Sequence, residues 1–514
     1  MACLQLNRMI AAGFLVSLEM EMGMGTMKNE KNREVKLPQN ILQKFQLCLL
    51  GIQVILAVIL GIKLISMGIA PAKYIFFYAA AIGLICVMTY CALKRKVTTI
   101  IVIVLSVLIT ALLTYGMIAV IRLDHTIRDL SKDARLETVQ MSVYVRSDDD
   151  ANNLADLSGA KIGNLKDDHN VDDIMNEIVA STKKKPQNTD YDNIVVLMDA
   201  LLNGDERAIV VNSAYIDILS EVDGYANIKD EIKELDTISV EVEMEDTEKN
   251  NVPYELSSDE NTMIVYISGI DMWGAVNARS RSDVNILAVV NTKTGHIQLI
   301  NTPRDYYIYL PEQKGYDKLT HAGLYGVDSS MSALENLYGI KIDYYIRLNF
   351  SGFESVIDTL GGVDVYSQYD FTVDPIKHYT VGYNHLTGLE ALAFARERHA
   401  FANGDIQRGI NQMEVIKAVI SRMTSVDALE HYEQLLGDVE DCVMMDIPSN
   451  VIYDLVRYQL SSGVSWKIDN YTVTGTGEST YTYSMPDRTC YVMQPDEDKV
   501  DEAKKLIEDV LGEK

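Results

Sequence analysis

The chemistry this chain could perform is concentrated in its arginines. The stretch "ARERHAFANGDIQRGINQ" (395–412) gathers Arg396, Arg398, Arg408 and Gln412 in one short window. Upstream, Arg281 and Asp283 open one apolar run, Arg304 and Asp305 close another, and Asp271 closes a third. A guanidinium stays charged at every physiological pH and donates paired hydrogen bonds from a planar fork, which suits it to phosphate. Arg396 and Arg398 share a face if their segment is extended. Arg408 and Gln412 share a face of a helix that Asp405 would cap. Brought together, these side chains would grip a pyrophosphate, and the carboxylates beside them would repel it unless a cation such as Mg²⁺ lay between. The competing reading is a set of Arg–Asp salt bridges that close a domain, because charge clusters also form for structural reasons.

The elements that must hold these residues are readable around them. "TMIVYISGID" is an apolar run ending at Asp271; "VNILAVVNT" and "IQLINTPRD" flank a Gly-containing turn and predict a hairpin. "GVDSSMSALENLYG" and "FSGFESVIDTLGG" predict helices that end at glycine. Thr387 and Glu390 stand at capping-box spacing at the head of another. Strands alternate with helices, so residues 251–495 predict an α/β or α/β/α domain on a mixed sheet, followed by an amphipathic helix at 496–514 packed on it. Residues 122–250 predict a smaller α/β domain without any catalytic grouping, which reads as a spacer or interaction module. A polar tract at 245–261 reads as the linker between the two.

Ahead of both domains the composition changes. The 514-residue chain is 48% hydrophobic with a formal net charge of −27, and three apolar runs fill 45–66, 74–93 and 97–121. Each approaches or exceeds the roughly 20 residues that cross a bilayer. Lys63, near the end of the first run, is expected to reach for the headgroups. Lysines and arginines at 28–44 and 94–96 predict a cytoplasmic N-terminal segment (1–44) and place the C-terminal body outside the membrane. The first 26 residues resemble a short apolar leader without a cleavage site, consistent with translation starting near Met27. Residues 1–121 carry 11 Lys/Arg and 4 Asp/Glu out of 46 and 73, so the remainder carries 35 and 69, near −34. That charge argues against nucleic acid as a partner. Cys442 and Cys490 either pair in an oxidising compartment or remain thiols.

Three segments, "RSDVNILAVVNTKTGHIQLINTPRD", "GIKIDYYIRLNFSGFESVIDTLGGVDV" and "LTGLEALAFARERHAFANGDIQRGINQ", resemble consecutive signatures of the LytR–CpsA–Psr family, over roughly residues 260–425. The three-span anchor and the small domain resemble its capsule-associated branch in Gram-positive bacteria. The resemblance implies a phosphotransferase that moves a glycopolymer, a capsular polysaccharide or similar, from an undecaprenyl-pyrophosphate carrier to peptidoglycan outside the membrane. It implies Asp271 and Asp283 as Mg²⁺ carboxylates, and Arg281, Arg304, Arg396, Arg398 and Arg408, with Gln412, around the pyrophosphate. Asp305 would orient an arginine. Asn411 departs from the pattern, standing where the family commonly has another arginine. Phe350, Phe353 and Ile357, with Val356 and Leu360, would line a slot for the prenyl chain, although their spacing also suits ordinary core. No Ser, Cys or His arrangement points to a covalent intermediate; His385 and His399 read as isolated surface residues. Two other readings stay open. One is a polyprenyl-pyrophosphate pyrophosphatase; the other is a non-catalytic regulator that senses the lipid carrier or scaffolds polysaccharide-export proteins.

Overall fold

The computed structural model describes residues 39–92, 96–132, 136–166, 168, 170–243, 261–270, 275–402, 404–425 and 443–513. Asp271, Cys442 and most of the expected linker lie outside these residues. Helices α1 (Gln39–Met67), α2 (Ala72–Ala92) and α3 (Lys96–Lys132) contain the three apolar runs. All three are long and apolar enough to cross a membrane. Two compact units are present: the helix segments up to Ala57 and from Ala80 to Leu113 form one, and Val58–Ala79 with everything from Thr114 onward forms the other. In the first unit Gln46 donates to the Ser106 hydroxyl (2.8 Å) and Gln53 to the Ser106 carbonyl (2.7 Å). Such bonds join helices where water cannot.

In the second unit, α3 continues past residue 121 because Asp124 and Arg128 stand one turn apart and pair at 3.0 Å. Lys63 extends past the apolar runs to Asp124 of α3, with its Nζ 2.6 Å from that carboxylate. Tyr453 also donates to Asp124 (2.8 Å), so one carboxylate ties two apolar helices to the body of the protein.

The smaller domain is a five-stranded sheet of β1 (Leu136–Arg146), β2 (Lys161–Leu165), β3 (Gln187–Tyr191), β4 (Ala208–Asn212) and β5 (Ile232–Glu243), ordered β3-β2-β4-β1-β5. Helices α4 (Val171–Ser181), α5 (Ile194–Asn203) and α6 (Ala214–Leu219) pack on it. Its interior continues into the larger domain: Leu219, Val222 and Tyr225 are buried together with Leu324, Met485 and Val492. The two domains therefore share a core.

The larger domain is an α/β/α sandwich on a six-stranded mixed sheet. Its strands are β6 (Thr262–Ile270), β7 (Ser282–Asn291), β8 (His296–Asn301), β9 (Tyr344–Leu348), β10 (Val443–Met445) and β11 (Lys467–Thr472), ordered β10-β9-β6-β7-β8-β11. The expected hairpin is β7–β8, antiparallel from Ile286↔Asn301 to Asn291↔His296. Gly295 takes φ +68° in its turn, a conformation that favours glycine. Side chains alternate between the faces of β6. Ile264 and Tyr266 pack beneath α7 (Val327–Tyr338) and the C-terminal helix. Met263 and Val265 pack on the opposite face. Helix α8 (Phe350–Thr359) leaves the end of β9, and α9 (Gly388–Arg396) begins where the Glu390 carboxylate accepts from the Thr387 N–H at 2.9 Å. Helices α10 (Gly404–Met423) and α11 (Ser449–Ser462) complete the second layer. The last helix, α12 (Glu497–Gly512), buries Val500, Ala503, Ile507 and Val510.

Candidate active site

Strands β6 and β9 run parallel, and their C-terminal ends, Gly269–Ile270 and Leu348–Asn349, open onto one cavity of about 720 Å³. Antiparallel β7 brings its N-terminal end to the same edge, so Arg281 and Asp283 join them. Carboxyl ends of parallel strands are where α/β sheets usually leave room for a ligand. The turn after β8 supplies Arg304; Arg396, the last residue of α9, and Arg398 just beyond it close one wall. Arg408 and Gln412 point in from α10. A Cβ on Gly409 would collide with the Asn301 side-chain amide, so glycine here lets α10 lie close against the end of β8. Because α10 begins at Gly404, Asp405 is its second residue and not the cap expected from the sequence.

The cavity has two characters. Its mouth is charged. Arg304 donates from Nη1 to Asp283 (2.9 Å) and from Nη2 to Glu221 (2.9 Å), and Arg281 donates to the same Glu221 oxygen at 2.5 Å. Thr320 donates to Asp283 (3.0 Å). Burial would raise the Asp283 carboxyl, but Arg304, Arg281 and Arg408 outweigh it and hold it below its usual range. Burial would likewise lower the Arg304 guanidinium, which Asp283, Glu221 and Asp305 instead hold firmly protonated. The rest of the cavity is apolar: Phe350, Phe353, Val356 and Ile357 of α8 face Ile416 and Ile420 of α10. Ile127 of α3 and Ile452 of α11 line it too. Arg396 joins the two regions, with its guanidinium 4.3 Å from the centre of the Phe350 ring.

Of the residues singled out in the sequence, Arg281, Asp283, Arg304, Arg396, Arg398, Arg408, Gln412, Phe350, Phe353 and Ile357 meet in this cavity. Asp305 does not line it. That carboxylate is buried behind Arg304, 3.8 Å from Nε, and pairs with Lys318 at 3.1 Å. Leu360 is core, and Asn411 is buried with its amide on the Phe394 carbonyl (3.2 Å). His399 is exposed, as expected, and lines the cavity beside Arg398. Asp271 follows the last residue of β6 and lies outside the described residues.

The sequence profile of the LytR_cpsA_psr family matches residues 227–507, more than half of the chain. The chain belongs to the LytR_cpsA_psr family. A DNA polymerase processivity factor profile also matches residues 93–211, but that stretch stops before β5, the partner of β1, and so covers no complete folding unit. Among curated relatives, the polyisoprenyl-teichoic acid–peptidoglycan teichoic acid transferase TagU of Bacillus cereus is 32% identical over 44% of this chain and 73% of its own. The transferase TagT of Bacillus subtilis is 30% identical over 50% and 80%. The crystal structure of Bacillus subtilis TagV superposes with a TM-score of 0.42 at 26% identity, covering 50% of this chain and 99% of that one.

Glu221 at the cavity of this family member, and Lys318 behind it, escaped the sequence reading. Lys318 is a buried lysine, 3.6 Å from Glu221. Glu221 comes from the smaller domain, in the turn that ends α6. The segment leading to Arg281 is itself held by that domain: Arg279 donates its backbone N–H to the Thr138 carbonyl of β1 (2.7 Å), and Thr138 donates to Asn277 (2.9 Å). Neither turn position nor local spacing marks such contacts in the sequence.

Proposed function

We propose that this protein transfers a glycopolymer from a polyisoprenyl-pyrophosphate carrier to peptidoglycan, with undecaprenol as the carrier lipid and a capsular or similar polysaccharide as the polymer. The observation that carries this reading is the joining of an arginine-lined mouth and an apolar slot in one cavity. Phosphate and prenyl chain need those two surfaces side by side. The relatives' names, which specify polyisoprenyl-linked teichoic acid and peptidoglycan, support the same reaction class. A peptidoglycan hydroxyl oxygen attacks the sugar-side phosphorus, and its proton passes to water. The new P–O bond forms as the anhydride bond breaks, and polyprenyl monophosphate leaves. Arg281, Arg304, Arg396, Arg398 and Arg408, with Gln412, hold the phosphate oxygens and stabilise the charge that builds on them. Arg396 stands at the boundary, one face on Phe350 and its fork toward the phosphates.

Among the described residues no group of three or more His, Cys, Asp or Glu side chains is placed to hold a metal. Mg²⁺ needs less than that, since it is commonly held by one or two carboxylates with waters and substrate phosphates. The ionised Asp283 fits such a role, with Asp271 as its partner, and the ion would neutralise developing phosphate charge. The three apolar helices support a multi-pass membrane protein, and the basic residues at 28–44 and 94–96 support an external body.

The test is wall-bound polymer in cells that lack related transferases and carry each variant at matched level. Arg304→Ala and Arg396→Ala should each reduce attachment by about 10²–10³-fold, as expected for one lost contact to transition-state charge. Near-normal attachment in the folded double variant would end the catalytic reading, and free phosphorylated polymer as the main product would indicate hydrolysis. Asp283→Asn should remove the dependence of turnover on added Mg²⁺; undiminished wild-type turnover in chelator would exclude the metal.

A further inference from the structure

Arg281 and Arg304 already grip an anion, and that anion is part of the chain. One oxygen of Glu221 accepts from both guanidinium groups, at 2.5 and 2.9 Å, while Lys318 lies 3.6 Å from the other oxygen. Arg304 spends its remaining terminal nitrogen on Asp283. A phosphoryl group held between Arg281 and Arg304 would therefore need the space and the hydrogen bonds that the Glu221 carboxylate uses. The turn carrying Glu221 is fixed from below, since Leu219, Val222 and Tyr225 on either side of it are buried. The carboxylate itself is at the cavity surface and partly exposed, so the side chain moves without the turn.

We infer that Glu221 is a positioning residue of the unloaded site: it occupies the place of one phosphoryl group between Arg281 and Arg304, and yields that place when the pyrophosphate enters. This rests on the reading of the arginine cluster as the pyrophosphate site, and adds to it an internal competitor contributed by the smaller domain. The occupant is permanent in charge. Burial alone would raise the Glu221 carboxyl, but Arg304, Arg281 and Lys318 overcome it and hold it at about 2. Asp283 and Asp305 offset part of the charge of Arg304 and Lys318, but Glu221 is the carboxylate that accepts from both Arg281 and Arg304. With Glu221 they stay aimed at one point. Substrate wins the exchange because it also reaches Arg396, Arg398, Arg408 and Gln412 across the same cavity. After transfer, the returning carboxylate favours release of the phosphate left between Arg281 and Arg304.

The experiment titrates the full-length protein in detergent with inorganic pyrophosphate, comparing wild type with Glu221→Gln and Glu221→Asp. The amide retains an oxygen that accepts from the arginines but lacks the charge. Glu221→Gln should bind pyrophosphate at least tenfold tighter than wild type, whereas Glu221→Asp should stay within about threefold, since each tenfold corresponds to about 1.4 kcal/mol. Unchanged or weaker binding by a folded Glu221→Gln protein would overturn the inference. An Arg304→Ala control separates the two ideas: if it binds pyrophosphate as well as wild type, the site assignment itself fails and this inference with it.

Discussion

At the scale of single residues, Glu221 gives the molecule a defined response to acid. A carboxyl held at about 2, against an ordinary value of 4.5, stabilises the fold fully above pH 4.5 and loses that contribution as pH falls toward 2. In ligand-free protein, Glu221→Gln should therefore be less stable than wild type by a constant amount from pH 7 to 4.5. The difference should shrink below that. Denaturant midpoints across the series would check it, and a gap that widens in acid would contradict the assignment. The arginines of this site were legible in the sequence because their charge makes them conspicuous at the ends of apolar runs. Glu221 and Lys318 were not, because the chain holds 73 acidic and 46 basic residues and only the fold selects the two that matter. Asp305 shows the opposite limit. Its neighbour in sequence lines the cavity, yet its own side chain turns behind Arg304 to Lys318.

Among the elements, β1 of the smaller domain does more than hold its own sheet together. Glu137 on β1 and Arg347 on β9 are both wholly buried and pair at 2.9 Å, and Glu137 also accepts from Arg279 at 2.8 Å. Removing one partner of such a pair strands a charge in the interior. Glu137→Ala should cost about 3–5 kcal/mol and lower the unfolding midpoint of both domains in one transition. Separate transitions in the wild type, or a shift in the smaller domain alone, would show that the domains fold independently. The β7–β8 hairpin, the ends of α7 and α8 and the start of α9 could be read from turn glycines, a capping pair and alternation, which are local signals. The union of the two domains could not. Glu137 and Arg347 are 210 positions apart, and each looks like an ordinary surface charge until its surroundings close over it.

For the whole molecule, the prediction concerns sidedness. With the basic clusters inside, external protease on intact cells should remove residues 122–514, and complete protection would invert the topology. The three apolar helices were legible because length and composition suffice to mark them. That the stretch of the third helix beyond its apolar run forms part of the cavity wall was not. Ile127 belongs both to a helix apolar enough to cross the bilayer and to the lining of the cavity's apolar part. A carrier chain sliding from the bilayer past Ile127 would exchange one hydrocarbon solvent for another. Such a transfer releases almost no ordered water, and lipid tails are as apolar as the side chains that replace them. Chain length would then weigh little on affinity in a membrane and heavily in water. Short soluble analogues would report a hydrophobic preference that the protein in its bilayer never exercises, leaving the choice among lipids to the pyrophosphate and its sugar.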